Sequence, residues 1–435
     1  MKDTRISIRL TPELHEELKI FTTKKRKTIN QFLLDYVQEE LKKDKEKKNQ
    51  STENSINVLS LFANIGVAEA YFEDIGINVV LANELIKRRA DLYSSIYPNT
   101  EMKCGDITDK SVQDYLIARS KDLNVNLIMA TPPCQGMSTA GKQEEGDIRN
   151  NLIVPTVRII KEVSPKYVFI ENVPMFLLTE IEINGVKILI PDYLKKELSN
   201  KYEFHICKID TKNYGVPQTR ERAIILLTRK DVAHKWTMPP KESYIVTLQD
   251  AIGHLPQLDP FVKDISHKEL LEMFPQYEER AREAFKISKW HVPPEHIKRQ
   301  VHVMSYTPSG CTAFDNKKEF QPQKDNGEIV KGFRNTYKRQ DWNQPAFTVT
   351  MDNRKISSQN NVHPGRPIGT DKNGNVLYSD PRTLTVYELM LVSSLPSDWS
   401  IPKDTSPAFL RSIIGEGIPP LFVKKVFEKL RGASE

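Results

Sequence analysis

Cysteine is scarce in this chain of 435 residues: Cys104, Cys134, Cys207 and Cys311 are all there is, and no two form a CxxC. Such spacing excludes a disulfide framework and a multi-cysteine zinc site, so no metal is expected and a reducing cytosol suits the chain. Long apolar runs are missing too. None approaches the ~18 residues that span a bilayer, and the first residues lack a signal-peptide core. The expectation is a cytoplasmic protein with no membrane partner. Internal repeats are absent, which excludes a solenoid or a propeller. Charge of one sign is not in large excess either: 63 Lys and Arg against 57 Asp and Glu leave +6, compatible with a polyanionic partner without requiring one. The length allows two or three domains, each with a sizeable core.

What is present is organised around a short loop, Thr131-Pro132-Pro133-Cys134-Gln135-Gly136-Met137-Ser138. The apolar run Leu127 to Ala130 leads into it and reads as a buried strand. Two prolines stop that strand and present a cysteine on a rigid turn at its carboxyl end. In open α/β sheets ligands bind at that edge. Taken alone, the cysteine is more often a small buried hydrophobe than a nucleophile.

Around this loop, strands and helices alternate. Val58 to Phe62 reads as a buried strand, followed by Ala63-Asn64-Ile65-Gly66 and a helix through Phe72. Val79 to Glu84 is a second strand ending in a carboxylate; Cys104-Gly105-Asp106-Ile107 precedes another helix. Tyr167 to Asn172 and Ala223 to Leu227 complete the clear strands. Such alternation argues for an α/β fold with a doubly wound, Rossmann-like parallel sheet. A loop tolerating a close ligand after the first strand, with an acid ending the second, is how such a sheet holds a nucleoside. Glu84 is placed to accept from ribose hydroxyls and Asp106 from an exocyclic adenine amine. The Phe62–Gly66 loop has one glycine where dinucleotide fingerprints have three, and is weak evidence by itself.

The alternation fails between about Trp236 and Lys338, which reads as a separate irregular domain, and resumes faintly at Ala346 to Thr350. The expected organisation is an N-terminal module over 1–42, a solvated linker over 43–56, a catalytic and cofactor-binding domain over 57–235, the irregular domain over 236–338, and a return to the catalytic domain over 339–435. In the N-terminal module, Arg5 to Leu10 alternates strictly, with Ile6, Ile8 and Leu10 on one face and Arg5, Ser7 and Arg9 on the other. Thr11-Pro12 opens a helix, and Thr28 with Gln31 fits a capping box that opens a second. One strand and two helices resemble the ribbon-helix-helix modules of small repressors. That resemblance implies a homodimer through the strand, with Arg5, Ser7 and Arg9 in a DNA major groove.

Taken in order, the blocks are similar to those of the cytosine-5 DNA methyltransferase family. They are Phe62 to Gly66, Glu84, Gly105 to Ile107, Pro133-Cys134-Gln135, Asp147 to Leu152, Glu171-Asn172-Val173 and Gln218 to Arg222. The match resumes at Arg339 to Thr348 and Arg382 to Thr385, and closes at Ile414 to Pro420. The resemblance implies double-stranded DNA as partner and S-adenosyl-L-methionine as methyl donor, released as S-adenosyl-L-homocysteine. It implies Cys134, Glu171, Arg220 and Arg222 as catalytic residues. Phe62, Asn64, Ile65, Gly66, Glu84, Leu85, Asp106, Ile107, Pro133, Leu152, Glu416 and Ile418 become cofactor contacts, and Ser138 a DNA contact. The irregular segment falls where the family keeps its target-recognition domain.

The chemistry accounts for the residue types. A thiolate adding to carbon 6 of cytosine breaks the ring's aromaticity and makes carbon 5 enamine-like. Glu171 would hydrogen-bond ring nitrogen 3, Arg222 would hold the base's carbonyl oxygen, and Arg220 would contact nearby phosphate or ring. The base must leave the duplex for this, so flipping is implied. Three positions depart from the family pattern: Ser60 where an acid is usual, Asn64 where glycine is, and Glu416 where asparagine is. All belong to the cofactor side, and Glu416 adds charge near the sulfonium. Two alternatives stand beside this reading: an RNA substrate such as tRNA, and a DNA-binding regulator with a decayed catalytic domain. The long irregular segment argues against the first, and intact Cys134, Glu171 and Arg222 against the second.

Overall fold

The computed structural model describes residues 11–24, 28–30, 32–34, 55–133, 151–324 and 326–430. The chain divides into a unit over Met1–Ser55 and a unit over Ile56–Glu435. In the first, helix α1 spans Pro12–Lys24, its opening turn closed by the His15 amide on the Thr11 carbonyl at 3.0 Å. Residues 29–30 and 32–34 are also helical, and the rings of Phe21 and Phe32 meet edge-on at 5.4 Å. The strand expected over Arg5 to Leu10, with Arg5, Ser7 and Arg9, lies outside the described residues.

The second unit is built on a seven-stranded sheet. In chain order its elements are β1 (Ile56–Leu61), β2 (Ile77–Glu84), α2 (Lys87–Ile96), β3 (Glu101–Cys104), α3 (Lys110–Asp122), β4 (Leu127–Ala130), α4 (Ile153–Val163) and β5 (Tyr167–Asn172). A small hairpin follows, β6 (Glu180–Ile183) with β7 (Val186–Leu189), then α5 (Ile190–Leu198), β8 (Tyr202–Asp210) and β9 (Glu221–Arg229). The sheet order is β3-β2-β1-β4-β5-β9-β8. The first five strands are parallel, while β9 runs antiparallel to both β5 and β8.

Period-two alternation sorts the strand side chains onto two faces. Leu59, Leu61, Ile128, Ala130, Val168, Ile170, Ile225 and Leu227 pack under α3, α4 and α5. Val58, Leu127, Met129, Phe169, Ile224 and Leu226 pack on the other face against Trp236 and the helix Pro420–Glu428. Trp236, the first residue of the expected irregular domain, is therefore part of the sheet's core; its ring nitrogen donates to the Val426 carbonyl at 2.9 Å. Its sequence neighbours are polar and unperiodic, which hid an anchor set by a helix 190 residues away.

Beyond Trp236 the chain does turn irregular, with short helices at His267–Met273, Tyr277–Ile287 and Lys298–Ser305 and strands of only two residues. A cluster of buried charges ties it to the C-terminal segment. The fully buried Arg382 donates to both carboxylate oxygens of Glu388 at 2.7 and 2.8 Å, to Asp380 at 2.9 Å and to the Leu258 carbonyl at 2.8 Å. Arg339, also fully buried, donates to the carbonyls of Met304, His363, Ser379 and Asp380. Burial lowers the Arg339 guanidinium to about 9 and the His363 imidazole to about 4. The Arg339 and Arg382 blocks thus fasten the irregular segment to the rest.

On β1, the Ser60 hydroxyl donates to Glu69 Oε1 at 2.5 Å, and the Tyr93 hydroxyl donates to Oε2. Burial outweighs both hydrogen bonds and raises the Glu69 carboxyl to about 7. Because the folded value lies above the unfolded one, Glu69 favours folding fully at acid pH, and that contribution is lost as pH rises from 4.5 through 7. Relative to wild type, Glu69→Gln should therefore gain roughly 3 kcal/mol across that window. Urea midpoints for both proteins at pH 4.5 and 8 would check it; parallel pH profiles would contradict it.

Candidate active site

In an open α/β sheet the ligand crevice opens where strand order reverses, here between β1 and β4 at their carboxyl ends. The loop leaving β1 is bent by left-handed backbone at Phe62 (φ 59°), Asn64 (φ 52°) and Gly66 (φ 80°). Gly66 is required twice over, by that angle and because a Cβ would run into the Tyr97 ring. The Asn64 amide donates to Glu84 Oε2 at 2.9 Å, and the Ile86 amide donates to Oε1 at 2.9 Å. A carboxylate ending β2 therefore shapes the loop after β1. Beside it, Leu85 is 61% exposed and Ile86 45% exposed, apolar surface with nothing over it among the described residues. Exposed Asp106 takes the Thr108 amide and hydroxyl on Oδ1, both at 2.8 Å.

At the end of β4, Asn172 controls where the next loop starts. Its Nδ2 donates to the Pro132 carbonyl at 3.0 Å, while its Oδ1 accepts from the Val173 amide at 2.8 Å. Cys134 and Ser138 lie outside the described residues, two and six positions beyond this anchor. Glu171, one residue before Asn172 on β5, is buried and forms an ion pair with Arg222 on neighbouring β9, Nε to Oε1 at 2.6 Å. Both side chains keep 11% of their surface open.

Arg220 was expected at phosphate or ring, yet it is buried and holds backbone. Its Nη1 donates to the Val349 carbonyl at 2.9 Å, and Nη2 to those of Gly415 and Glu416 at 2.9 and 3.0 Å. Three carbonyls at chain turns need a donor once water is excluded, and the fork of a guanidinium meets all three. The returning segment runs beside it: the Thr219 amide donates to the Ala346 carbonyl, the Ala346 amide donates to the Pro217 carbonyl, and the Thr348 hydroxyl donates to the Thr219 carbonyl at 2.7 Å.

Comparison with known proteins gives the family and the fold. The description C-5 cytosine-specific DNA methylase matches residues 56–432. The Type II methyltransferase M1.HgaI of Avibacterium volantium is 40% identical over 379 residues, 86% of this chain and 97% of that protein. The Type II methyltransferase M1.HphI of Haemophilus parahaemolyticus is 26% identical, with 86% of each chain covered. In fold, the Entamoeba histolytica methyltransferase EhMeth superposes with a TM-score of 0.53 at 17% identity, covering 88% of this chain and 99% of that one. The chain belongs to the C-5 cytosine-specific DNA methylase family.

The methylase brings most of the expected residues to one sheet edge, though not all in the expected way. Glu84, Leu85, Asn64, Gly66, Pro133 and half-buried Phe62 border the crevice beside β1 and β4, and Leu152 stands just before α4. Ile65, Ile107 and Ile418 are 0–3% exposed and belong to the packed cores, so only their backbone is available to a ligand. Glu416 is half-buried, and Gly415 and Gly417 on either side have no room for a Cβ, against Thr350 and Val67. Among the described residues no cluster of His, Cys, Asp and Glu could hold a metal, and no helix is long and apolar enough to cross a membrane. Gln218, like Asn172, holds backbone through its side-chain amide, donating to the Val392 carbonyl at 3.3 Å and accepting from the Val349 amide at 3.2 Å, and such a role gives no chemical signal in sequence. Arg89, which pairs with Glu416 at 2.9 Å, gives none either.

Arg220→Met should destabilise the methylase by at least roughly 3 kcal/mol, because several charge-assisted hydrogen bonds vanish and buried carbonyls lose their donors. Arg222→Met strands the covered Glu171 carboxylate and should also cost roughly 3 kcal/mol, most of it recovered when Glu171→Gln removes the other charge. Denaturant titration would check both: Glu171→Gln should rescue Arg222→Met and leave Arg220→Met as unstable as before, separating an ion pair from a backbone brace.

Proposed function

We propose that this DNA cytosine-5 methyltransferase acts on a cytosine swung out of duplex DNA, with Cys134 as nucleophile and Glu171 and Arg222 as the pair that grips the base. The observation that carries the reading is the Glu171–Arg222 pair at the ends of adjacent strands, next to the Asn172-held loop from which Cys134 follows. An entering cytosine would place its carbonyl oxygen on the Arg222 guanidinium and ring nitrogen 3 on the Glu171 carboxyl. The Cys134 thiolate then forms a bond to carbon 6, and the electron pair released into the ring makes carbon 5 nucleophilic. When bound, S-adenosylmethionine supplies a methyl group on a positively charged sulfur. A base, water in the simplest case, then removes the carbon-5 proton, and the returning electron pair expels the thiolate.

The crevice chemistry fits that cofactor. Glu84 offers acceptors for ribose hydroxyls, Asp106 keeps Oδ2 for an exocyclic amine, and Leu85 and Ile86 offer an apolar face to the nucleoside. Asn64 Oδ1 is a buried acceptor with no partner among the described residues, suited to an ammonium donor. Duplex DNA as substrate is supported by cations beside the site. Arg88, Arg354 and Lys355 line a cavity of about 430 Å³ and form no ion pair with a described carboxylate. Residues 236–338 would read the target sequence, and the Type II names of the relatives support a restriction-modification setting.

Cys134→Ser should abolish methyl transfer while leaving DNA and cofactor binding intact. A duplex with 5-fluorocytosine at the target should trap the wild type covalently, because fluorine blocks the last elimination. A peptide map without an adduct at Cys134 would overturn the mechanism.

We further infer that residues 1–42 form a ribbon-helix-helix module that dimerises and binds DNA independently of methylation, at the enzyme's own promoter in the simplest case. The helix Pro12–Lys24 and the helical turns after Thr28 support it. So few residues bury too little to be stable alone, which favours pairing. Deleting 1–48 should leave methyl transfer intact and remove a footprint outside the methylation sites. A truncated enzyme with an unchanged footprint and the same number of subunits in solution as the full chain would refute the module.

A further inference from the structure

Two of the three departures from the family pattern touch each other. Asn64 Nδ2 donates to Glu416 Oε2 at 3.1 Å, although 352 positions separate them. The other carboxylate oxygen, Oε1, pairs with Arg89 Nη2 at 2.9 Å. Asn64 also donates its amide to Glu84, so Glu84, Asn64, Glu416 and Arg89 make one continuous chain along the crevice. Its backbone is fixed at both ends: Asn64 sits in the left-handed region, and the Glu416 carbonyl is held by Arg220. The carboxylate added at position 416 is thus matched by a cation from α2, and both side chains are 81% covered.

Charge decides what this linkage does. S-adenosylmethionine carries one more positive charge than its product, on sulfur; the two molecules differ otherwise only by the methyl group on that sulfur. A balanced Arg89–Glu416 couple presents neither a bare anion nor a bare cation to that sulfur, whereas half of the couple would. Screening by water is weak for two groups so covered, so the unbalanced charge would act over several ångströms.

We propose that the Arg89–Glu416 couple, tied to the first loop through Asn64, sets how strongly the methylase prefers its charged methyl donor over the neutral-sulfur product. Arg89 is a positioning residue in this arrangement: it holds Glu416 and limits its field. The inference rests on the cofactor crevice proposed above.

The test is calorimetric binding of S-adenosylmethionine and S-adenosylhomocysteine to full-length protein, without DNA or turnover. Glu416→Gln leaves Arg89 unbalanced and should shift the ratio of the two dissociation constants about tenfold toward the product. Arg89→Met leaves Glu416 unbalanced and should shift the ratio about tenfold toward the donor. The double variant should return within about threefold of wild type, since the two charges vanish together. Ratios unmoved in both single variants, or a double variant that fails to return, would overturn the inference. Arg89→Lys, which keeps the charge, should hold the wild-type ratio and guards against a misfolded Met variant; a shifted ratio there would also count against the couple. Glu84→Ala separates the two readings. If it weakens both ligands equally while the ratios above stay fixed, the crevice stands and the couple falls. If it weakens neither, the crevice itself has been misassigned.

Discussion

One buried guanidinium joins the parts of this site. Arg220 stands at the start of β9, and its donors reach the turn at Val349 and the end of the helix Pro407–Glu416. Two distant segments are thereby held to the strand that carries Arg222, and through it to Glu171 on β5. Backbone carbonyls left dry at chain turns are costly, and Arg is the side chain whose planar fork can satisfy several at once. A residue expected to touch substrate is in this structure the one that assembles the surface around it.

The same economy recurs where the irregular segment joins the sheet. Arg339 and Arg382 are fully buried, yet each is surrounded by carbonyls or carboxylates in hydrogen-bonding range. Such clusters add less net stability than apolar packing of equal volume, but losing one partner strands a charge. They therefore fix geometry: segments with no regular secondary structure are held in one arrangement. The recognition surface proposed for residues 236–338 would need that, because loops have no ladder to fix them.

At the cofactor side, the departures from the family pattern form a compensated set. Asn64 brings a donor to Glu416, Glu416 brings a charge, and Arg89 balances it. Ser60 follows a related logic, its hydroxyl meeting a buried Glu69. Considered one at a time these positions suggest a weakened pocket. Considered in space they describe a differently wired one.

Sequence alone determined five of the seven strands, β1, β2, β4, β5 and β9, because period-two apolar runs and the turns between them are local properties of the chain; β3, β8 and the antiparallel run of β9 came from the structure. Sequence determined the family as well, because the order of the blocks carries information that no block carries singly. Glu84, the acid ending β2, was legible because strand ends can be read from pattern, whereas Glu171 was legible only through the resemblance to the family. Only the tertiary structure decided which arginine pairs with Glu171 and which holds backbone, since Arg220 and Arg222 differ in sequence by two positions and in surroundings by everything packed on them. It alone placed Trp236 in the core, and it alone joined Asn64 to Glu416 and Arg89. Those contacts link residues up to 352 positions apart. Pairings across such distances are made by the packing of the whole chain, which leaves no trace in local periodicity or spacing.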